Sequence, residues 1–407
     1  MRRTARFALT LLLVLLVFGL GTRIVDAAET DSAGSAAGAA ARESTAEDSA
    51  EDAEDLQEKV EDALLAEFDF DEIEYSLHSM FPGEKMSFQD MVSAMASGDA
   101  GSVGQLLLEY ISDQFFYEFK YNRQNLIYVL LVSLTAAVFS NFAGAFRSRQ
   151  ISEISFYVMY MLLIALCLTS FQTAAAGAEE RLQALTEFMR ILCPSYFLAV
   201  AFASGSASSL FFYNVILMII YVVELVIVRF LLPVINIYIM IQVLGNLTGE
   251  DFISEFADLL KKAVMWILKT MLACVIGVNV VQGILAPAID TLKRSALTRT
   301  AEALPWVGNA IGGAAEIVLG TAVLIKNGIG MAGAAIALLI FAVPVIQMLV
   351  MAFMYKLAAA LVQPVSDKRI TSCISGVSEG YELMVRVIFT AGVLFLLTIA
   401  VVAASTS

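Results

Sequence analysis

The sequence predicts an all-α polytopic membrane protein, with about eight transmembrane helices after a signal peptide and a small helical extracytoplasmic region. Its 407 residues are 59% hydrophobic, and their mean hydropathy is +0.78. Residues 329–355 carry no formal charge, and this stretch exceeds the roughly 20 residues that cross a bilayer as a helix. A water-soluble fold could not bury so much apolar surface.

Residues 1–27 have the pattern of a secretory signal peptide. Three arginines among the first six residues precede an apolar run from Phe7 to Leu20, and small or apolar residues permit cleavage after Ala27. The alternative is an uncleaved N-terminal anchor. Both interpretations place the segment that follows outside the cytoplasm.

The negative charge of the chain is concentrated in one segment. Between Glu29 and Glu74 there are 17 acidic residues against two basic ones, whereas from Tyr75 onward 21 acidic residues stand against 19 basic ones. Residues 28–55 contain almost no aromatic or branched side chains, so they cannot bury enough surface to offset the entropy of ordering. We therefore expect residues 28–55 to be a disordered acidic segment.

Residues 56–120 are expected to form a small helical region outside the cytoplasm. Apolar residues recur every four positions from Leu56 to Phe68. A second amphipathic helix is predicted to begin at Ser87, because Ser87 and Asp90 have the spacing of a capping box. Its apolar side consists of Phe88, Met91, Val92 and Met95. Such a surface needs a partner to cover it.

Residues 121–407 are predicted to form the polytopic transmembrane domain. The candidate spans are residues 126–143, 154–174, 192–210, 211–232, 263–285, 307–325, 329–355 and 383–403. A further apolar piece, residues 233–244, is too short to span and is either re-entrant or a continuation of the preceding helix.

The distribution of basic residues predicts the orientation of these spans. Lys and Arg accumulate in cytoplasmic loops. With the N-terminal region outside, the arginines at 147 and 149 and the basic loop around Lys293 fall inside. The segment around Glu179 and Glu187, and residues 251–262, then become outside loops. Eight spans leave both ends of the chain outside.

The sequence contains no constellation typical of an enzyme, a cofactor site or a metal site. Its one histidine, His78, has no second His or Cys at metal-ligand spacing, and no G-x-x-x-x-G-K-[ST] motif occurs. The four cysteines occur singly and are interpreted as structural. We predict that the protein is not an enzyme and uses no cofactor.

The first candidate functional residues are three glycines and one acid that recur every four positions. They are Gly308, Gly312, Glu316 and Gly320. Residues with this spacing share one side of a helix, where small side chains let another backbone approach closely. Glu316 either pairs with a basic residue such as Lys269, or lines a path for a solute or ion, or reaches the membrane interface.

Two further lysines flank the long span without charges. Lys326 and Lys356 stand at the ends of residues 329–355. Basic side chains at such positions extend toward the lipid headgroups. We predict that these lysines anchor the two ends of the span.

Several segments of the C-terminal half carry a family resemblance. They are KN-x-IG-x-AG from Lys326, YKLAAAL-x-QP from Tyr355, VQGILAPAID from Val281 and LPWVGNAIGGAAEIVLG from Leu304. In these segments the chain resembles the stage III sporulation protein AE family. The resemblance is close from about Lys262 to the C-terminus and loose toward the N-terminus.

This resemblance implies a membrane subunit of the channel complex that joins the mother cell to the forespore during sporulation. It implies a multi-pass protein of the mother-cell membrane that surrounds the engulfed forespore. The implied partners are the lipid bilayer, the other stage III sporulation A-operon proteins and, through the complex, stage II sporulation protein Q. No nucleic acid is expected. The residues alone leave open an autonomous secondary transporter or permease for a small solute, since charges lie in apolar runs that Pro233 and Pro344 interrupt.

Overall fold

The computed structural model describes residues 70–80, 87–97, 100–142, 149–204, 209–248, 254–301 and 312–405. Regular backbone in these residues is helical and includes no strand, which confirms the all-α class. The chain divides into two compact units, Met1–Asp62 and Ala63–Ser407. The first unit lies outside the described residues, as do the predicted signal peptide and the predicted acidic segment.

Nine α-helices and one π-helical turn occur in the described part of the chain. They are α1 Asp71–Met80, α2 Phe88–Ala96, α3 Ala100–Phe142, α4 Arg149–Ser204, α5 Ser209–Val226, the π turn Ile227–Leu231, α6 Leu232–Thr248, α7 Ser254–Ala301, α8 Gly312–Val362 and α9 Lys368–Ser405. Six long rods result, because α5, the π turn and α6 follow one another without interruption.

Several of the described helices are much longer than a membrane is thick, and α4 and α8 are the longest of them. α4 has 56 residues and α8 has 51, which at about 1.5 Å per residue gives lengths of about 84 and 77 Å. The prediction of a loop around Glu179 and Glu187 is wrong, because α4 continues through this segment. Ala, Leu, Gln and Glu, all strong helix formers, fill this segment. Leu182, Leu185 and Phe188 are buried there, so packing also maintains the helix.

Four helices in the described residues are long and apolar enough to cross a membrane. They are Ile154–Ala203, Tyr213–Gly245, Gly320–Val362 and Lys368–Ala400. Two pairs of predicted spans therefore fall within single helices. Residues 154–174 and most of 192–210 belong to α4, and residues 329–355 and most of 307–325 belong to α8. The predicted number of eight is not confirmed.

The short apolar piece after Pro233 continues the preceding helix. Proline removes one backbone hydrogen bond and collides with the carbonyl four residues earlier. The π turn Ile227–Leu231 lies at that place, and such wider turns accommodate the mismatch. The sequence left open a re-entrant segment or a continuation of the preceding helix, and in the structure residues 233–244 continue that helix. Pro344 likewise lies inside α8 without ending it.

The long helices alternate in direction, with α8 at the centre of the bundle. α8 packs most extensively on α9 and next on α4, α3 and α2. The Ser378 hydroxyl donates to the Ala352 carbonyl at 2.8 Å, and Gly392 meets Phe341, so α8 and α9 run in opposite directions. Asn125 contacts Ser170 in the same antiparallel sense between α3 and α4.

The short helices α1 and α2 are joined by a carboxylate cap. Glu74 Oε1 accepts hydrogen bonds from Ser87 Oγ and from the Phe88 amide, both at 2.8 Å. Ser87 Oγ in turn accepts from the Asp90 amide at 3.3 Å, which confirms the predicted helix start. A negative group at a helix N-terminus is favourable because the first amides lack partners within the helix.

Candidate functional site

The helix pair α1–α2 is docked on α8 through a glycine. A Cβ atom added to Gly328 would lie 2.7 Å from the Val92 carbonyl oxygen and 3.4 Å from the Ala96 Cβ. Met95 and Ala335 form a buried contact about two turns further along α8. The side of α2 that the sequence predicted to be apolar is buried, with Phe88, Val92 and Met95 inside. Gly328 is therefore the position at which a membrane helix accepts the backbone of α2.

Two more glycines of α8 receive side chains from α4. A Cβ on Gly330 would lie 3.0 Å from the Tyr196 hydroxyl, and one on Gly333 would lie 2.5 Å from a Leu192 methyl. Within six residues, α8 thus contacts two different elements. We call Gly328, Gly330 and Gly333 the glycine junction.

The C-terminal helix α9 uses glycines in the same way. Added Cβ atoms on Gly376 and Gly380 would collide with the side chains of Gln242 and Ile239 of α6, and one on Gly392 would collide with the Phe341 ring of α8. Small residues at such contacts let helices in a membrane gain close packing, since apolar burial alone gives them no preference over lipid.

The predicted glycine and acid set is described only in part, so its packing role stays a prediction. Gly308 and the Glu316 side chain lie outside the described residues, and Gly312 is the first residue of α8. A Cβ on Gly320 would have open space around it among the described neighbours. The sequence search missed the glycine junction because these residues serve two different helices and so do not follow a spacing of four. Gly330 and Gly333 nevertheless lie in the KN-x-IG-x-AG segment.

The three predicted lysines occupy different environments. Lys326 is 1% exposed and lies inside α8 rather than at a helix end, and its role as an anchor at one end of the span stays a prediction. The continuous helix across 312–362 explains this, because the span does not begin at 329. Lys356 and Lys269 are exposed. The Glu316–Lys269 pair stays a prediction.

Two ion pairs among the described residues join neighbouring helices. Arg190 of α4 donates to Glu224 of α5 at 2.6 Å. Lys261 of α7 donates to Glu379 of α9 at 2.6 Å, and the Tyr238 hydroxyl of α6 donates to the same carboxylate oxygen at 3.4 Å. These cross-links join α4 to α5 and tie α6, α7 and α9 together.

A polar cluster lies between α3, α4, α8 and α9. Asn125 Nδ2 donates to Ser170 Oγ at 2.5 Å, and Ser170 Oγ lies 3.2 Å from the Tyr381 hydroxyl. The Tyr355 ring lies 5.4 Å from the Tyr381 ring. The Tyr355 hydroxyl is buried in the same cluster, beside the side chains of Ser170, Asn125 and Cys167.

Glu118 of α3 is a buried carboxyl next to this cluster. Its oxygens accept hydrogen bonds from Gln114 Nε2 at 3.1 Å and from Asn122 Nδ2 at 2.9 Å. Burial raises the pKa of Glu118 above its ordinary value, and the two amide hydrogen bonds and the charge of Arg181 offset part of that rise. The interaction with Arg181 places this part of α3 beside the charged middle of α4.

No group of three or more His, Cys, Asp or Glu side chains among the described residues is arranged to hold a metal ion. Cys167, Cys193 and Cys373 are buried free thiols, and Cys274 is an exposed one. The arrangement of the described site is thus one of close helix packing, ion pairs between helices and a neutral polar cluster.

Comparison with known proteins identifies the family. The family description "Stage III sporulation protein AE" matches residues 86–406. The chain belongs to this family. It is 29% identical over 307 residues to the stage III sporulation protein AE of Bacillus subtilis (strain 168), an alignment that covers 75% of this chain and 77% of that protein. No solved structure matches the chain.

The matched region begins just before α2 and includes every long helix. It therefore includes both partners of the Gly328 contact, Val92 on α2 and Gly328 on α8. A sporulation protein with apolar helices long enough to cross a membrane agrees with the predicted resemblance.

Proposed function

We propose that the chain is a membrane scaffold or channel subunit of the sporulation complex that joins the mother cell to the forespore. The observation that carries this proposal is the length of α4 and α8, more than twice the hydrocarbon thickness of about 30 Å. Continuous rods that are packed through glycines suit a rigid component that crosses a membrane and projects from it. The family membership supplies the sporulation context.

We propose six membrane crossings in place of eight. α3, α4, the α5–α6 rod, α7, α8 and α9 alternate in direction, and each short connection joins neighbouring ends. α7 and α9 run in the same direction, since Lys261 pairs with Glu379 and Met265 lies by Arg386. An even number of crossings keeps both ends of the chain on one side.

The contact of α2 with Gly328 determines which side that is. If residues 28–120 lie outside the cytoplasm, as the signal peptide pattern predicts, the N-terminal part of α8 lies outside too. The Lys356 end of α8 and the Lys368 start of α9 then face the cytoplasm, together with Lys261 and Lys262. These positions agree with the preference of basic residues for the cytoplasmic side. The basic segment around Lys293, which the eight-span scheme put inside, lies near the C-terminal end of α7 and falls outside with six crossings, against that preference.

The level of the outer membrane surface follows from α3 and α4. Phe116, Tyr117 and Tyr121 of α3 are exposed, and aromatic side chains concentrate where hydrocarbon meets headgroups. Glu118 and Arg181 lie at the same level, since their charges interact. Residues of α4 beyond Arg181 therefore project from the membrane, which also removes Glu187 and Arg190 from the hydrocarbon.

The proposed location is the mother-cell membrane around the forespore, where the projecting ends would enter the space between the two membranes. The proposed partners are the other stage III sporulation A-operon proteins and, through them, stage II sporulation protein Q. Enzymatic activity is not part of the proposal.

Co-purification from sporulating cells tests this role. The tagged full-length chain, extracted in mild detergent, should bring down other A-operon proteins. Recovery of the chain alone, together with solute movement when it is placed in liposomes, would contradict the scaffold role and support a secondary transporter. One argument for that alternative is lost already, since Pro233 and Pro344 do not break their helices.

A further inference from the structure

The part of α3 between Gln114 and Asn122 has its polar side turned inward and its apolar side turned outward. Glu118 is buried, and the amides of Gln114 and Asn122 donate to its carboxylate along the same side of the helix. The outward side carries five exposed aromatic residues, which we call the aromatic collar: Phe115, Phe116, Tyr117, Phe119 and Tyr121. A helix surrounded by water shows the opposite pattern. The outward side of this segment is therefore suited to an apolar surrounding.

The aromatic collar continues directly into the transmembrane surface of α3. Ile127, Leu131, Leu134 and Val138 are exposed along the following turns, and they belong to the apolar run that the sequence predicted to cross the membrane. Aromatic side chains concentrate at the border between hydrocarbon and headgroups. A bilayer around residues 127–138 would therefore reach the aromatic collar with its headgroup layer.

Two cations lie within the aromatic collar. Lys120 and Arg123 are both exposed, and because they are three residues apart they are neighbours on the helix surface. No acidic side chain in the described part of the chain forms an ion pair with either of them. The exposed acids Glu109 and Asp113 lie about 10 Å or more from Lys120 along the helix axis. Both positive charges are thus available to an anion from outside the chain.

The direction of the two side chains places their charges at the level of lipid phosphates. Side chains in an α-helix lean toward the N-terminus of the helix, and the N-terminal end of α3 points away from the hydrocarbon. Lys and Arg in such positions pack their methylene groups on apolar surface and hold their charge in the headgroup layer. Phosphate carries the negative charge in that layer, and a guanidinium can donate two parallel hydrogen bonds to it.

We propose that Lys120, Arg123 and the aromatic collar bind the phosphate group of an anionic phospholipid in the outer leaflet. A zwitterionic phospholipid carries the same phosphate but adds a positive charge beside it, so the pair of cations favours the anionic lipid. The proposal rests on the proposed function, because it takes the level of the outer membrane surface from it.

Quenching of a single tryptophan by brominated lipids tests the proposal on the full-length chain in liposomes. Trp266→Phe and Trp306→Phe remove the two native tryptophans. Phe116→Trp then reports on the lipids at the aromatic collar, and Leu131→Trp, exposed on the same helix, reports on the lipids around the span. Each reporter is measured in equal mixtures of phosphatidylglycerol and phosphatidylcholine, once with only the phosphatidylglycerol brominated and once with only the phosphatidylcholine brominated.

We expect phosphatidylglycerol to be enriched at least about fivefold over phosphatidylcholine around Phe116→Trp, since one Lys or Arg at a membrane surface contributes roughly that factor. The two lipids should quench Leu131→Trp equally. Lys120→Gln combined with Arg123→Gln should abolish the enrichment, whereas Lys269→Gln, at an exposed lysine of α7, should keep it.

The outcomes separate the lipid site from the membrane level on which it rests. Equal quenching of Phe116→Trp by the two brominated lipids, or an enrichment that survives the loss of both cations, would overturn the lipid site and leave the membrane level intact. Quenching of Leu131→Trp without quenching of Phe116→Trp would place the aromatic collar outside the lipid, and it would overturn both the site and the proposed level of the outer membrane surface.

Discussion

Gly328 shows how one residue couples the short helix α2 to the bundle of long helices. The atom nearest to an added Cβ is the backbone oxygen of Val92, at 2.7 Å. A backbone atom cannot rotate away as a side-chain end can, so α2 would have to move as a whole. Gly333 differs, since the nearest atom there is a Leu192 methyl, which can adopt another rotamer.

A pair of alanine substitutions separates these effects. Gly328→Ala should lower the free energy of unfolding by about 1 to 3 kcal/mol, the usual cost of overpacking. Gly320→Ala should be neutral or stabilise by up to about 1 kcal/mol, since alanine favours the helix and no described neighbour is near. Thermal unfolding in detergent measures both. Equal stability of the two variants would contradict the close approach of α2.

Glu118 predicts a pH dependence of stability. Because burial raises the pKa of Glu118 in the folded protein, the folded state holds this proton more tightly than the unfolded state does. Stability should therefore fall as the pH rises from the ordinary pKa of the carboxyl to its raised value, and should not fall further above that. Glu118→Gln should lack this step in unfolding curves recorded across the acidic range. If the Glu118→Gln variant showed the same step, the step would belong to another titratable side chain.

Sequence reasoning at the residue scale succeeded where one helix alone decides the outcome. The Ser87 cap and the apolar side of α2 follow from local spacing and are confirmed. The contacts of the glycine junction depend on which helices meet α8, and the environment of Lys326 depends on where α8 begins. Neither is a local property, so the glycine set at spacing four was chosen in place of Gly328, Gly330 and Gly333.

At the scale of elements, helix continuity is the main departure from the predicted layout. Charges between apolar runs were interpreted as loops, as in an ordinary multi-pass protein. Around Glu179, however, strong helix formers keep the backbone helical, and Leu182 and Leu185 are buried against neighbours. Only the partner helices reveal that such a segment continues outside the hydrocarbon. The existence of most apolar elements was predictable, but their ends were not.

A distance measurement tests the continuity of α4. Spin labels at Gln172→Cys and Leu198→Cys should lie about 40 Å apart, at about 1.5 Å per residue along one helix. Both native side chains are exposed, so labels should fit without disturbing the core. Double electron–electron resonance in nanodiscs gives the distance. A value under about 20 Å, near the spacing of packed neighbours, would restore the predicted hairpin of two spans.

For the whole molecule, the six alternating helices predict a topology that differs from the eight-span scheme. Glu255, exposed near the start of α7, lies in the cytoplasm if there are six crossings and outside if there are eight. In a Cys274→Ser background, Glu255→Cys in intact cells should therefore resist a membrane-impermeant maleimide and react after lysis.

Gln89→Cys is the control for this experiment, because it should react in intact cells under both schemes. It is preferable to a change at Ser87, which caps α2. Reaction of Glu255→Cys in intact cells would contradict six crossings. Protection of Gln89→Cys would reverse the orientation of the whole chain.

Composition and hydropathy were sufficient to predict the class of the whole molecule, and sequence segments were sufficient to predict its family. The polar cluster was not predictable, because Asn125, Ser170 and Tyr381 come from three helices that only the tertiary structure brings together. The partners in the proposed complex were not predictable from one chain, because surfaces that contact other proteins are not determined by the packing within the chain.

Spore formation tests the central claim most directly. A strain that lacks this chain should grow normally in the vegetative state but yield far fewer heat-resistant spores, because the forespore would lose a subunit of its channel complex. The wild-type chain and the Gly320→Ala variant should restore the spore count, whereas Gly328→Ala should restore it less well. A normal count of heat-resistant spores in the deletion strain would contradict the account.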